Sequence, residues 1–150
     1  MKVLSVLIIA FALTVGISRL ASGSWNFVFG GNLAMFLMLC LTAVGHYKFA
    51  EGMAMMIPDP IPFGKEIVFW SGITEVLLGL GLLFPATRTP AGIALLLLFV
   101  LLLPGNIHAA LRHIDFEKAN HEGPGPAYLW FRIPMQVLLM AWVYWFSIRK

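Results

Sequence analysis

Five polar side chains interrupt otherwise apolar stretches of the sequence: His46, Glu75, Asn106, Arg132 and Gln136. They comprise a carboxyl, an imidazole, a guanidinium and two amides, a set able to hydrogen-bond a carbonyl or hydroxyl group and to exchange a proton with it. A charged group at the centre of a membrane helix costs about 2.5 to 3.5 kcal/mol on insertion scales, so each such residue needs a partner and is a functional candidate. Glu75 is the clearest case. Gly72 and Gly79 stand three residues before it and four after it on the same helical face, where small residues admit a neighbouring helix. Glu75 is therefore expected to point into a bundle and not at lipid. The cation within reach is Arg132, with Gln136 one turn deeper on the same face. Antiparallel helices would bring Gln136 near the depth of Glu75, and a Glu75–Arg132 pair completed by Gln136 is expected. The competing expectation is a packing device that fixes helix register without chemistry, as buried ion pairs often do.

Thr42 lies one turn before His46 on one face of the second apolar run. Asn106 and His108 lie at the corresponding end of the fourth, just after Pro104, which removes a backbone donor and kinks a helix. Residues 106 and 108 are about 200° apart around a helix. Only one of them can face the bundle centre, and Asn106, followed by Ala109 and Ala110, is the better candidate. The polar groups of four runs then collect in one half of the bilayer, the layout of an apolar pocket with a few convergent polar groups.

Other chemistries fit less well. His46 and His108 could ligate a b-type haem, but two histidines on different spans are a pattern of low specificity. A zinc site would need a third ligand at that depth, and His113 and His121 fall in a polar segment as solvated side chains, so no metal is expected. Met53, Met55 and Met56 abut a proline-rich turn and read as packing. Cys40 is the one cysteine, which excludes an intrachain disulfide and a Cys-x-x-Cys pair. Phosphate-binding glycine loops, nucleophile elbows and dinucleotide fingerprints are missing from the sequence.

The elements that must position these residues follow from composition. The 150 residues are 60% hydrophobic and 11% charged, against about 25% charged in soluble domains, and mean hydropathy is +0.88. An ordinary soluble domain is excluded. Apolar runs at 3–20, 33–50, 67–84, 91–107 and 127–146 are each roughly long enough to cross a ~30 Å hydrocarbon layer at ~1.5 Å per residue. The fold expected is all-α, a polytopic membrane helical bundle of five spans in a single domain over residues 1–150. Pro58, Pro60 and Pro62 break any helix between the second and third spans, residues 85–90 form a tight connection, and 112–126 is polar. The first run could be a signal peptide, but Arg19 would fall where a small residue is required, which favours an uncleaved span. Trp25 and Phe27 suit an interface.

A net charge of +3 and a pI near 9.3 come from scattered Lys and Arg, which fits anchoring at lipid headgroups and not nucleic acid. An inside N-terminus puts Lys2, Lys48, Lys65, Arg112 and Lys118 in the cytoplasm against Arg19, Arg88, Arg149 and Lys150 outside, five against four, a weak vote on orientation.

The stretches Gly45-His46-Tyr47-Lys48-Phe49, residues 57–62, Ser71-Gly72-Ile73-Thr74-Glu75-Val76-Leu77-Leu78-Gly79, Pro104-Gly105-Asn106-Ile107 and Phe131-Arg132-Ile133-Pro134-Met135-Gln136 resemble, in that order, the DoxX-like family of bacterial integral membrane proteins. The likeness runs from about residue 31 to 147. It implies a four-helix core with an added N-terminal transmembrane helix, residence in the bacterial cytoplasmic (inner) membrane, and a redox-linked accessory role at a quinone. His46, Glu75, Asn106, Arg132 and Gln136 fall within the matching motifs. The expected function is binding of a quinone-like or other small amphipathic molecule beside a redox-enzyme partner subunit or a second copy of the chain. The rival is a non-catalytic scaffold for a partner complex. A proton-coupled transporter has less support, with one acidic residue and no pair of broken helices. Whether the chain is itself an enzyme stays open.

Overall fold

Backbone in an apolar surrounding must satisfy its own N–H and C=O groups, and each long apolar run does so as a helix. The computed structural model describes residues 2–58 and 60–149; Asp59 of the proline-rich loop and Lys150 of the orientation count lie outside them. The chain is an all-α helical bundle of α1 (Lys2–Ser22), α2 (Phe27–Lys48), α3 (Ala50–Met55), α4 (Gly64–Gly81), α5 (Pro85–Leu111) and α6 (Leu129–Val143). A 3-10 turn at Gly125–Tyr128 leads into α6, and a π-helical segment, Tyr144–Ile148, continues it. Among the described residues the one β feature is an isolated bridge between Asp115 and Asn120.

Four helical stretches, Val3–Ser22, Phe27–Lys48, Pro85–Leu111 and Gly125–Ile148, are long and apolar enough to cross a membrane. The chain is a membrane protein. The third expected span is the exception: α4 has 18 residues and carries Lys65, Glu66 and Glu75, so its composition differs from that of its neighbours because of the candidate carboxyl and its charged first turn.

Helix ends depart from the apolar runs for identifiable reasons. The second helix starts at Phe27 and not at 33, because the Asn26 side chain accepts the Phe29 N–H and caps it, and Gly30, Gly31 and Asn32 are buried within it. The fourth long helix starts at Pro85 and not at 91, since proline at the first helical position lacks only a donor that would be unpaired anyway. The short α3 has no counterpart among the expected elements.

Successive long helices pack side by side, α1 on α2, α2 on α4, α4 on α5 and α5 on α6 with its π segment. Leu7 of α1, Met35 and Leu39 of α2, Leu95 of α5 and Val143 of α6 are buried together. The first helix is seated by Phe11, edge-on to Trp142 at 5.1 Å between centroids, and by Val15, whose side chain occupies the place a Cβ on Gly30 would need.

One polar clasp closes the end of the bundle remote from His46. Asn32, 1% exposed, donates to Val28 O at 2.8 Å and to Phe146 O at 3.0 Å, and accepts from Ser147 Oγ at 2.7 Å. Trp142 Nε1 donates to Gly31 O at 3.0 Å. Replacing Asn32 with alanine leaves the Phe146 carbonyl and the Ser147 hydroxyl without these partners, and a lowered thermal midpoint in detergent is expected, equivalent to about 1 to 3 kcal/mol. A midpoint equal to that of the wild type would mean the clasp contributes nothing.

Candidate functional site

Close approach of two helices makes the site. On α4 the small faces of Gly72 and Gly79 meet α2: a Cβ on Gly72 would stand 2.9 Å from His46 Cβ, and one on Gly79 2.9 Å from Leu39 Cδ1. Glu75, between them, is buried and so faces Thr42 and His46, which sit one turn apart on α2.

Thr42 Oγ1 lies 2.9 Å from Leu39 O and 2.9 Å from Glu75 Oε2. A hydroxyl has one proton to give and lone pairs with which to accept. When Glu75 is ionised, Thr42 donates to the carboxylate; when Glu75 is protonated, Thr42 accepts from it and donates to Leu39 O. The carboxyl is hydrogen-bonded in either state.

The imidazole is equally constrained. His46 Nδ1 lies 2.8 Å from Val68 O, which can only accept, and 3.1 Å from Ser71 Oγ, whose own proton is directed to Val68 O at 2.8 Å. Nδ1 therefore carries a hydrogen. Nε2 lies 3.7 Å from Glu75 Oε1, beyond a full hydrogen bond, and is the ring edge left for another group.

The remaining three candidates form a second group. Arg132 Nε donates to Asn106 Oδ1 at 3.2 Å, Asn106 Nδ2 donates to Leu102 O at 3.1 Å, and Gln136 Nε2 donates to Phe99 O at 3.0 Å. The first and third of these bonds join α6 to α5 after and before Pro104, and the second lies within α5. The expected Glu75–Arg132 contact is thus corrected: among the described residues no ion pair within 4 Å joins them, Arg132 acting on Glu75 through its charge at longer range, and Gln136 serves a backbone carbonyl. The glycine face of α4 turns Glu75 towards α2, so the carboxyl meets Thr42 and His46 before it can meet α6. Asn106 is buried as expected, while His108 is tied by Nδ1 to Met56 O at 3.1 Å. No group of three or more His, Cys, Asp and Glu placed to hold a metal ion occurs among the described residues.

Beside His46 lies an apolar groove of about 230 Å³ between α2 and α4, lined by Ala43, His46, Tyr47, Phe69, Ile73 and Leu77 among others. Tyr47, Phe69 and Leu77 are exposed, so the groove opens to the outside of the bundle, where lipid lies. The sequence places Thr42 on the face of His46 but does not pair it with Glu75, and it does not mark Ser71 as a partner of His46. Their signal was spacing: Thr42 is four residues before His46 and Ser71 four before Glu75, one turn apart in each case.

Gly72→Ala places a methyl 2.9 Å from His46 Cβ and is expected to force α2 from α4 by a few tenths of an ångström, costing about 1 to 3 kcal/mol. A thermal midpoint in detergent unchanged from that of the wild type would contradict the close approach.

An all-α membrane bundle with a histidine, a carboxyl and a hydroxyl clustered behind a lipid-facing groove is the class of protein defined by this geometry. The chain belongs to a family described as a domain of unknown function (DUF8561), whose model matches residues 33–147. That stretch runs from the second turn of α2 into the π segment and leaves α1 outside. No curated protein and no solved structure matches the chain.

Proposed function

We propose that the chain is a redox-linked accessory protein of the bacterial inner membrane that binds a quinone-like amphipathic molecule, its ring in the groove between α2 and α4 and its tail along the lipid-facing surface. The observation that carries this is His46, which with Tyr47 brings polar groups to an otherwise apolar groove, with Glu75 and Thr42 directly behind it. The groove, about 230 Å³, is smaller than the ~300 to 1,000 Å³ of pockets that enclose a drug-sized ligand, which suits a ring with an open tail. The resemblance to the DoxX-like family points the same way.

Nε2, protonated while Glu75 is ionised, donates a hydrogen bond to a quinone carbonyl. When a redox partner reduces the ring by one electron, the Nε2–H bond would break and its proton would form the O–H bond on the quinone oxygen, one proton for one electron, leaving neutral His46 beside the Glu75 carboxylate until a proton returns. Arg132 and Asn106 hold α5 to α6, and the Arg132 guanidinium contributes positive charge on the same side of the bundle.

The test is native mass spectrometry in mild detergent with a short-tailed benzoquinone. Saturable binding of one molecule per chain, weakened about tenfold in His46→Ala by loss of a charge-assisted hydrogen bond, is expected. Equal binding by both proteins would remove the proposal. A scaffold without a ligand is the second reading. It is favoured by the complete pairing of buried side-chain polar atoms among the described residues, and stoichiometric recovery of a partner by a chain that takes up no quinone would select it.

A further inference from the structure

A larger pocket, of about 470 Å³, lies at the end of the bundle where α3, the start of α4, the end of α5 and the chain after it meet. Charged and titratable side chains reach it from four segments: Glu51 of α3, Lys65 of α4, His108 of α5, and Arg112 and His121 from the connection to α6. Apolar side chains complete the wall, with Met55, Ile57, Ile61 and Ile114 among them. It is separate from the groove beside His46, with which it shares no lining residue.

The polar side chains are held in place. Lys65 Nζ donates to Glu51 Oε1 at 2.9 Å. That hydrogen bond, and the ammonium charge with it, keep the Glu51 carboxyl below the usual carboxylate range, and the bridge sets the ammonium at the pocket wall with further N–H donors to offer. Each histidine is oriented through Nδ1 by a backbone carbonyl: His108 by Met56 O at 3.1 Å and His121 by Arg112 O at 3.0 Å. Since a carbonyl can only accept, Nδ1 is the donor, and Nε2 is the acceptor edge of each ring. The result is a guanidinium and an ammonium in one pocket wall with two imidazole acceptors, and a carboxylate already bridged to the lysine, a set suited to the oxygens of a phosphate and to hydroxyls attached to it.

The pocket also lies at the right depth. Tyr47, Phe63 and Trp130, at the same end of the bundle, are 80%, 72% and 87% exposed, the aromatic belt found where helices pass from hydrocarbon to headgroups. Phosphate is the anion that a bilayer presents at that level, and the apolar wall suits the glycerol and first acyl carbons behind it.

The geometry points to a phosphate-binding site in this pocket, occupied by the headgroup of a membrane phospholipid. The test is native mass spectrometry of the delipidated full chain in mild detergent, titrated separately with a phosphatidylglycerol and with the diacylglycerol of the same acyl chains, and repeated with inorganic phosphate as competitor. One phosphatidylglycerol per chain is expected to be retained in preference to diacylglycerol. Lys65→Gln and His121→Gln, both at exposed positions, should each weaken retention about tenfold with the thermal midpoint unchanged. Displacement by millimolar inorganic phosphate would keep the phosphate chemistry and assign the site to the free ion. Equal retention of diacylglycerol, or wild-type retention by both variants, would overturn the proposal.

Discussion

Gly52→Ala is expected to detach α3 from the chain that crosses it and to be among the most destabilising single methyl additions in the protein. A Cβ at this position would press into the Phe116 carbonyl and stand 2.7 Å from Phe116 Cα. These are backbone atoms and cannot rotate aside, unlike the side chains that meet most of the other helical glycines. Overpacking of this kind costs about 1 to 3 kcal/mol or more. The edge-to-face contact of Phe49 and Phe116, 6.1 Å between centroids, would loosen with it, and the phosphate pocket beside α3 would open. The expected readings are a lowered thermal midpoint and new protease cleavage within residues 112–126. Gly16→Ala is the control: nothing lies within 4 Å of its Cβ position, and in a helix alanine is favoured over glycine by about 0.8 to 1 kcal/mol. Equal behaviour of the two variants would contradict the packing of α3.

Glu75→Gln is expected to separate chemistry from stability. The amide keeps the shape of the side chain and an oxygen for the Thr42 hydroxyl, and side-chain hydrogen bonds between membrane helices average only about 0.6 kcal/mol, so the fold should survive. Glutamine cannot exchange a proton with His46. Quinone binding is expected to fall about tenfold as the imidazolium loses its counter-charge. Glu75→Ala, by contrast, leaves Thr42 and the His46 ring facing a void and should cost about 1 to 3 kcal/mol as well. If the glutamine variant unfolded and the alanine variant did not, the carboxyl would have the wrong role here.

What could be read from the sequence was depth; azimuth could not. Apolar runs located the long helices, and Gly72 and Gly79 correctly turned Glu75 inward, because a stripe of small residues marks a close helix contact whatever the partner. The same stripe did not say which helix makes that contact. Arg132 lies at a plausible depth for Glu75, and depth alone paired them; the structure gives the glycine face to α2, so Glu75 meets Thr42 and His46 and Arg132 meets Asn106. Asn32 was overlooked because it follows Gly30 and Gly31, which read as a connection, although Asn26 is a legible helix cap. Its partner Ser147 lies 115 residues away, a separation that no local pattern can bridge. His121 read as a solvated loop residue, and only the return of the chain after α5 brings it to the pocket wall.

The most direct test of the central claim, that Glu75 and His46 share a proton with a ligand in the groove, is infrared difference spectroscopy of the full chain on addition of a short-tailed benzoquinone. A quinone-dependent carboxyl band, present in the wild type and lost in Glu75→Gln and His46→Ala, is the expected result. A carboxyl band that persists unchanged in both variants, or no quinone-dependent carboxyl signal in the wild type, would contradict it.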